Sequence, residues 1–328
     1  MAAPRVSVMI PTYNQARFIC RAIQSALNQS YKNIEIIISD DWSSDDTQSV
    51  VTDFIRQNSQ RCVIYHRNSE NLGILRNYHD NLLRATGDLV INLDGDDFFV
   101  NPNFIEQSVA LFQECSDLAL VFGDYCEHYE DTNERLDICN TKLARVMSDY
   151  SFYSAFADNK ILWNHNTILY KRDLALTVGF YWDPVLPRND WESFLRLIAG
   201  HKVGYLSDIQ AAWVHHGRNE TKRLDINKYL NNYVLINQIA LHAEDYFDKT
   251  FLDRWRKKMI LLKTKGSAIG YLMNRDFKGL TRFLSAASKV ESMLMLSVLT
   301  SPGFIFRAAI CLNPRLYRAV KTFIRQSR

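Results

Sequence analysis

The feature that most constrains this chain is an apolar run that ends in a cluster of carboxylates. Residues 88–97 read Asp-Leu-Val-Ile-Asn-Leu-Asp-Gly-Asp-Asp. An apolar run of this length, bounded by glycines, predicts a buried strand of a sheet that is covered on both faces. The three carboxylates of Asp94, Asp96 and Asp97 repel one another and are costly to desolvate. They therefore need either open water, as in a solvated acidic turn, or a bound cation.

Length and composition limit the class of protein. With 328 residues, the chain is long enough for one large domain with an appendage, or for two domains. Its apolar fraction of 47% and charged fraction of 23% are typical of soluble globular proteins. The net charge of +3 is too small to indicate a nucleic-acid partner. The distribution of charge is uneven, because no acidic residue follows Glu291 whereas six basic residues do, which suggests an anionic partner surface. These six residues are Arg307, Arg315, Arg318, Lys321, Arg325 and Arg328.

Cysteine usage and the N-terminal sequence bear on the compartment. Six cysteines are scattered without a Cys-x-x-Cys pair, which argues against a zinc site and against a small disulfide framework. The first residues lead directly into a strand pattern, without a charged and then apolar leader. We therefore expect a cytoplasmic protein rather than a secreted one.

Short apolar runs alternate with segments of helical periodicity over the first two thirds of the chain. Besides the central run, strands are predicted over 5–10, where Pro11 ends the strand, and over 34–39, 63–66, 118–122, 167–170 and 203–206. Residues 123–147 are predicted to be a polar loop, and residues 215–219 form a second one. Alternation of strands and helices indicates right-handed βαβ crossovers, and hence an α/β fold with a mostly parallel sheet.

The ends of three predicted strands carry polar residues suited to a ligand site. Residues 11–13, Asp40 with Asp41, and the acidic turn 94–97 each follow a strand. In an open α/β sheet, ligands bind at the carboxyl ends of the strands, which favours a functional site over a solvated turn. The chain has no Gly-x-Gly-x-x-Gly and no Gly-Lys-Ser/Thr loop, so a dinucleotide oxidoreductase and a P-loop NTPase are disfavoured. The acidic turn also lacks the ligand spacing of an EF-hand.

A further carboxylate lies at the start of a predicted helix. Trp191, Phe194, Leu195 and Ile198 share one apolar face, which places Asp190 in the first turn. There the carboxylate is either a partner of the helix dipole or a functional group.

Five motifs together resemble one known family. They are residues 6–14 (VSVMIPTYN), 39–45 (SDDWSSD), 71–73 (NLG), 94–97 (DGDD) and 189–192 (NDWE). In order and spacing they are similar to the inverting glycosyltransferases of family 2, which have the GT-A fold, and the resemblance covers residues 5–221. It implies a Rossmann-like, mostly parallel sheet flanked by helices in a nucleotide-sugar-binding and catalytic domain at 1–222. A helical region at 223–328 follows.

The resemblance also implies roles for individual residues. Asp190 matches the general base, and Asp96 a direct ligand of Mn²⁺ or Mg²⁺, with Asp97 assisting. His216 is a further metal or diphosphate contact, or a surface histidine. The nucleotide-binding residues by resemblance are Pro11, Thr12, Tyr13, Asp41 (the carboxylate that reads uracil), Asn71, Gly73, Arg76 and Asp94. Departures from the family pattern are Asn189, where an acidic residue is common, and Trp213-Val214 in place of Tyr-Arg. No Gln-x-x-Arg-Trp occurs, which speaks against a processive polymerase.

The implied activity is a metal-dependent hexosyl transfer with inversion. The donor is a UDP-sugar, and the acceptor is a hydroxyl of a glycan or lipid-linked glycan, as in O-antigen or capsule synthesis. One alternative is a sugar-phosphate nucleotidyltransferase, which would need a glycine-rich, basic loop that residues 11–15 lack. Glycoside hydrolysis by paired carboxylates leaves the nucleotide edge unexplained. A subunit that binds a sugar nucleotide without transferring it is the non-enzymatic alternative.

The last third of the chain is predicted to be helical from about residue 225. Basic residues are interspersed with apolar ones over 251–272. Residues 293–312 are apolar enough to resemble a membrane span, but Pro302, Gly303 and Arg307 interrupt the run. The pattern favours helices that lie on a membrane surface with their basic residues at anionic headgroups, at the inner face of the cell membrane. The alternative is a helical cap with a solvated basic face.

Overall fold

The fold is described from a computed structural model. It covers residues 3–58, 63–181, 183, 188–217, 225–291, 294–302, 304, 305 and 308. The chain divides into two compact units, the first formed by Met1–Phe156 and Lys160–Arg218, and the second by Ala157–Asn159 and Asn219–Arg328. The domain boundary predicted at residue 222 lies outside the described residues, as do Gly303, Arg307 and the basic residues that follow.

The first unit alternates strands with helices. Its strands are β1 Val6–Thr12, β2 Ile34–Asp40, β3 Val63–Arg67, β4 Leu89–Asn92, β5 Phe98–Phe99, β6 Leu118–Tyr129, β7 Glu134–Ile138, β8 Val146–Met147, β9 Ile168–Lys171 and β10 Lys202–His215. Its helices are α1 Ile19–Leu27, α2 Thr47–Gln57, α3 Ile74–Arg84, α4 Phe104–Glu114, α5 Asp149–Ala157, α6 Arg172–Thr177 and α7 Asp190–Ile198.

The ten strands found among the described residues belong to one sheet. Its order is β3-β2-β1-β4-β9-β6-β10-β5, with β7 beside β6 and β8 beside β10. Pairing is parallel from β3 through β4 and between β6 and β10, and these ladders hold most of the paired residues. Strand β9 runs antiparallel to both of its neighbours, β4 and β6. The predicted class, a mostly parallel α/β sheet flanked by helices, is confirmed.

Apolar spacing explains why the helices pack on this sheet. In α1 the buried residues Ile19, Ala22, Ile23 and Ala26 recur at helical spacing, so one face of the helix is apolar. This face packs in the same core cluster as Val8 of β1. Burial of each large aliphatic side chain contributes about 1.5–3 kcal/mol. A charged residue in place of Ala22 would therefore break the contact.

Three predicted boundaries were wrong. Strand β1 continues through Pro11 to Thr12, where Pro11 pairs with Ser39 of β2. Proline is tolerated there because β4 pairs only as far as Asn92, opposite Met9, so no partner on that side needs its missing N–H. The predicted polar loop 123–147 contains the second half of β6, all of β7, and β8. Strand β10 extends to His215, which was predicted to lie in a loop. In β7 and at the end of β6, polar and partly exposed side chains replace the apolar alternation from which a strand is predicted.

The second unit is helical, as predicted. Its helices are α8 Ile226–His242, α9 Lys249–Met273, α10 Phe277–Val290 and α11 Leu294–Leu299. Asp225, Asp248 and Asp276 cap the first three of these helices, since their carboxylates accept hydrogen bonds from backbone N–H groups of the first turn. A small core forms around Tyr271 and Phe283. Among the described residues, no helix combines the length and apolarity that a bilayer crossing requires.

Candidate active site

The acidic turn is fixed against the end of β1 by backbone contacts. The Gly95 N–H donates to the Pro11 carbonyl oxygen over 3.1 Å. A Cβ at Gly95 would lie 2.4 Å from Gln15 Oε1 and 2.8 Å from Thr12 Oγ1, so only glycine fits. Thr12 is also in register with Asp40 of β2. The parallel sheet therefore brings the three polar strand ends to one edge.

Asp94 is held by two side chains from different elements. Its Oδ1 accepts a hydrogen bond from the hydroxyl of Tyr78, a buried residue of α3. Its Oδ2 lies 3.1 Å from Nε2 of His165. The side chain of Asp94 therefore has a fixed orientation at the end of β4.

His165 bridges two of the predicted site residues. It begins a single turn of 3-10 helix, His165–Thr167, directly before β9. Besides its contact with Asp94, its Nδ1 lies 3.7 Å from Asp190 Oδ2. Burial by itself would lower the pKa of His165, but the Asp94 and Asp190 carboxylates outweigh burial and raise this pKa well above its usual value.

Asp97 points into the protein. Its Oδ1 accepts from the Val214 N–H over 2.8 Å, and its Oδ2 accepts from Asn166 Nδ2 over 3.0 Å. The side chain is almost fully buried. Burial, with further contributions from the charges of Asp96 and Asp94, raises the pKa of Asp97 well above its ordinary range. The residue thus joins the acidic turn to β10 and to the turn before β9.

Asp96 faces His216, which follows β10. The distance from His216 Nε2 to Asp96 Oδ2 is 2.8 Å. The ring of Phe18 stacks on the His216 ring with a centroid distance of 4.7 Å. His216 is therefore packed against the acidic turn.

The donor set fits a hard divalent cation. Asp94, Asp97 and His165 each offer a ligand atom, and these atoms lie within 4.8 Å of one another. Carboxylate oxygens suit Mg²⁺ and Mn²⁺, and carboxylate and imidazole ligands together are compatible with Mn²⁺. The predicted set of Asp96, Asp97 and His216 shares only Asp97 with this group, although Asp96 and His216 contact each other beside it.

Asp190 is the first residue of α7, as its position in the pattern predicted. The side chain of the preceding Asn189 caps the helix by accepting from the Trp191 N–H, so an amide replaces the acidic residue common in the family. Asp190 Oδ1 accepts from the same N–H over 2.7 Å, and the side chain is 39% exposed. Farther along α7, buried Glu192 pairs with Arg196, which donates to the Gly179 carbonyl oxygen over 3.0 Å. The contacts of Glu192 and Arg196 therefore hold α7, the helix that carries Asp190, in place.

Two of the predicted nucleotide-binding residues, Asp41 and Arg76, make defined contacts around α3. Asp41 accepts hydrogen bonds from the Leu72 N–H (2.8 Å) and the Gly73 N–H (2.9 Å), and its carbonyl oxygen accepts from Asn71 Nδ2. Asp41 thus organises the loop before α3. Arg76, in the first turn of α3, pairs with Asp80 over 2.9 Å.

Two exposed aromatic side chains occur at the same edge. Tyr13 is 48% exposed and Trp42 is 45% exposed. Trp42 has a φ of 64°, which is rare for a bulky residue, and the guanidinium of Arg67 lies 4.1 Å from the centre of its ring system. The edge therefore offers flat apolar surfaces near Asp41.

Sequence reasoning missed Tyr78, His165 and Asn166. The predicted site residues follow the ends of strands, whereas His165 and Asn166 precede β9. Because β9 is antiparallel to β4, its first residues lie at the carboxyl end of β4. The only signal in the sequence was the polar triplet His165–Thr167 directly before an apolar run.

Known proteins similar to this chain are found by both sequence and fold. The sequence profile of glycosyl transferase family 2 matches residues 7–173. The chondroitin synthase of Escherichia coli is 27% identical over 263 residues, which are 77% of this chain and 36% of that protein. The hyaluronan synthase of Pasteurella multocida is 29% identical over 261 residues, which are 77% of this chain and 25% of that protein. The chain thus spans between a quarter and about a third of the length of these relatives.

Solved structures share the fold across nearly the whole chain. Residues 1–349 of TarS from S. aureus, in complex with UDP-GlcNAc, match with a TM-score of 0.66 and 17% identity, covering 99% of this chain and 92% of that one. The mannosyltransferase PcManGT from Pyrobaculum calidifontis, in complex with GDP-Man and Mn²⁺, matches with a TM-score of 0.58 and 18% identity. It covers 98% of this chain and 84% of that one. The shared fold is GT-A.

Proposed function

Because the chain belongs to glycosyltransferase family 2, we propose that it transfers a sugar from a UDP-sugar to a hydroxyl of a glycan or lipid-linked glycan, inverting the anomeric configuration. The premise is that the chain is a glycosyltransferase of the polysaccharide-synthesis type. The donor, the metal and the acceptor are the proposal. The observation that carries it is the placement of Asp190 and Asp94 on opposite sides of His165 at the ligand-binding edge.

In this proposal Asp190 is the general base. An acceptor hydroxyl is a poor nucleophile at neutral pH, so a carboxylate within hydrogen-bond reach must take its proton as it attacks. The acceptor oxygen forms a bond to the anomeric carbon, the bond from that carbon to the diphosphate breaks, and its electron pair leaves with UDP. Since no residue becomes covalently attached, an α-linked donor gives a β-linked product.

The acidic turn serves the leaving group. By resemblance to the family's Asp-x-Asp signature, Asp94 and Asp96 would hold Mn²⁺ or Mg²⁺; Asp97 and His165 lie beside Asp94, and His216 lies beside Asp96. When bound, the ion neutralises the charge that grows on the departing diphosphate. The negative charge that the turn concentrates also favours a bound cation over an empty site.

UDP is proposed as the nucleotide because Asp41 resembles the family's carboxylate that reads uracil, since the fold alone does not fix the nucleotide. TarS was solved with UDP and with UDP-GlcNAc, whereas PcManGT was solved with GDP-Man, so relatives in fold differ in their nucleotide. Tyr13 and Trp42 offer exposed aromatic faces that suit a planar base, and buried Asp41 holds the neighbouring loop in place. Pro11, Thr12, Asn71, Gly73 and Arg76 complete the proposed nucleotide site.

The test begins with calorimetric titration of UDP in the presence and absence of Mn²⁺. We expect binding that depends on the metal, followed by release of UDP when the protein is incubated with a matching UDP-sugar. Asp190→Asn should keep UDP binding and lose turnover, whereas Asp96→Ala should lose the metal-dependent part of binding. Retention of configuration at the anomeric proton would refute inversion. UDP binding without any turnover would favour the subunit that binds without transferring.

We also propose that the second unit associates with an anionic membrane surface. Helix α10 contains no acidic residue and exposes Lys278, Arg282 and Lys289 beside exposed Phe277 and Val290. Interspersed cations and apolar side chains are typical of helices that lie at a lipid interface. The full chain should sediment with vesicles containing phosphatidylglycerol at low salt but not with vesicles of phosphatidylcholine. If the chain sediments with neither kind of vesicle, the proposal is contradicted.

A further inference from the structure

One imidazole joins two carboxylates that come from separate parts of the chain. Asp94 follows β4 and Asp190 begins α7, and the ring of His165 lies between them. Its Nε2 is 3.1 Å from Asp94 Oδ2 and its Nδ1 is 3.7 Å from Asp190 Oδ2. Each ring nitrogen therefore faces a different carboxylate.

The turn that carries His165 is held on both sides. The side chain of Asn164 accepts from the Asn166 N–H and caps the turn. Asn166 Nδ2 donates to Asp97 and to the Ala212 carbonyl oxygen. Thr167 Oγ1 donates to the Gly123 carbonyl oxygen over 2.9 Å. The imidazole cannot move far from its place without breaking these buried hydrogen bonds.

Asp190, in contrast, has a side chain that must be oriented. It lies in the first turn of α7 and is 39% exposed, so several rotamers are open to it. Its two oxygens meet different partners, since Oδ1 accepts from the Trp191 N–H and Oδ2 faces His165. Two contacts on different oxygens define the plane of a carboxylate.

We propose that His165 is a positioning residue that orients the Asp190 carboxylate relative to Asp94, and hence relative to the bound donor. This inference rests on the proposed function, in which Asp190 takes the proton of the acceptor. Asp94 lies at the diphosphate and Asp190 at the acceptor, so the bridging ring sets the distance between donor and base. The contact that matters for turnover is the one from Nδ1 to Asp190.

The two ring nitrogens can be tested separately. An asparagine amide nitrogen reaches the position of Nδ1, and a glutamine amide nitrogen reaches toward that of Nε2. His165→Asn should therefore keep turnover within about fivefold of wild type. His165→Gln should lower kcat by about 10- to 100-fold, the scale of a misplaced catalytic group. In both variants the KM for the donor, and the Kd for UDP with Mn²⁺, should stay within about threefold.

Turnover is measured as UDP released from UDP-GlcNAc, and from further UDP-sugars, in the presence of Mn²⁺ with water as the acceptor. In this reaction the water oxygen forms the new bond to the anomeric carbon, the bond from that carbon to the diphosphate breaks with its electron pair leaving on UDP, and one water proton goes to Asp190. His79→Asn is the matched control, because His79 is also partly buried and its Nδ1 contacts the Phe180 carbonyl oxygen over 2.9 Å, away from both carboxylates. The control should leave kcat unchanged.

Three results would overturn the inference. One is a His165→Gln variant with the kcat of wild type, and another is a greater loss in His165→Asn than in His165→Gln. The third is a tenfold or larger weakening of Mn²⁺-dependent UDP binding in both variants, which would make His165 a metal ligand instead. Full turnover in Asp190→Asn, or no UDP release by the wild type, would refute the proposed function and this inference with it.

Discussion

Glu35 provides a test of the forces that hold the sheet together, at the edge opposite the candidate site. This buried carboxylate at the start of β2 accepts from the hydroxyl of Ser7 and from the Thr86 N–H (2.7 Å) and hydroxyl (2.9 Å). It also pairs with Arg5 over 2.9 Å. We consider the substitution Glu35→Gln, which keeps the shape and removes the charge.

The magnitude follows from the contacts. A hydrogen bond to a charged group contributes about 1.5–3 kcal/mol, and one between neutral groups about 0.5–1.5 kcal/mol. If the glutamine oxygen keeps the bonds from Ser7 and the Thr86 N–H, each weakens by about 1 kcal/mol. The Arg5 side chain is 42% exposed, so its ion pair adds at most about 1 kcal/mol. The free energy of unfolding should therefore fall by about 2–3 kcal/mol.

The assay is thermal unfolding followed at several pH values. A loss of this size lowers Tm by about 4–12 °C for a unit of 150–250 residues. Burial by itself would raise the pKa of Glu35, but the hydrogen bonds from Ser7 and Thr86, together with Arg5, lower it below its usual value. The stabilisation is thus complete above the unfolded-state pKa of about 4.3, and is lost as the pH falls through the lower folded-state pKa.

The difference between wild type and Glu35→Gln should accordingly shrink as the pH is lowered from about 5 toward 3. Glu106→Gln is the matched control, because Glu106 is exposed. Among the contacts described for it, its one side-chain hydrogen bond is accepted from the hydroxyl of half-buried Ser30 over 2.7 Å. It should change stability by less than about 0.5 kcal/mol. The reasoning would be refuted if wild type and Glu35→Gln had the same free energy of unfolding at pH 7. It would also be refuted if the difference between them grew as the pH is lowered.

Three further outcomes are expected. Asn189→Ala should lower the free energy of unfolding by about 0.5–2 kcal/mol, because the cap of α7 is lost, whereas Asn189→Asp should not, as a thermal melt would show. Gly95→Ala should weaken metal-dependent UDP binding in calorimetry at least tenfold, since its Cβ would meet the short side chain of Thr12 at 2.8 Å; unchanged binding would show that the turn adapts. Chelation by EDTA should abolish UDP binding, and Mn²⁺ should restore it; binding that persists with EDTA would contradict a metal-held diphosphate.

Local signals explain what could be predicted from the sequence. The apolar run before Asp94 and the helical spacing after Asp190 are properties of neighbouring residues, so β4 and the start of α7 were predicted correctly. The class of the fold follows from the alternation of such segments. The placement of Asp94 and Asp190 in one site came from the family resemblance and remains a prediction of function, although their common bridge, His165, is a geometric finding.

The rest depends on contacts between distant residues. The apolar pattern of β9 does not reveal its direction, so the position of His165 beside Asp94 could not be deduced from it. The β6–β7 hairpin was missed for another reason. Its outer strand is largely exposed and carries Glu134, Arg135 and Asp137, which in composition is indistinguishable from a polar loop.

The antiparallel strand β9 also has a consequence for how the protein is made. It enters the sheet between β4 and β6, and both of these precede it in the chain. During synthesis, β4 and β6 therefore each wait with an unpaired edge until residues 168–171 emerge. Unpaired edges are templates for pairing with other chains, so a nascent or truncated chain that stops short of β9 is an aggregation hazard. The four residues of β9 thus join the strands on the β4 side of the sheet to those on the β6 side.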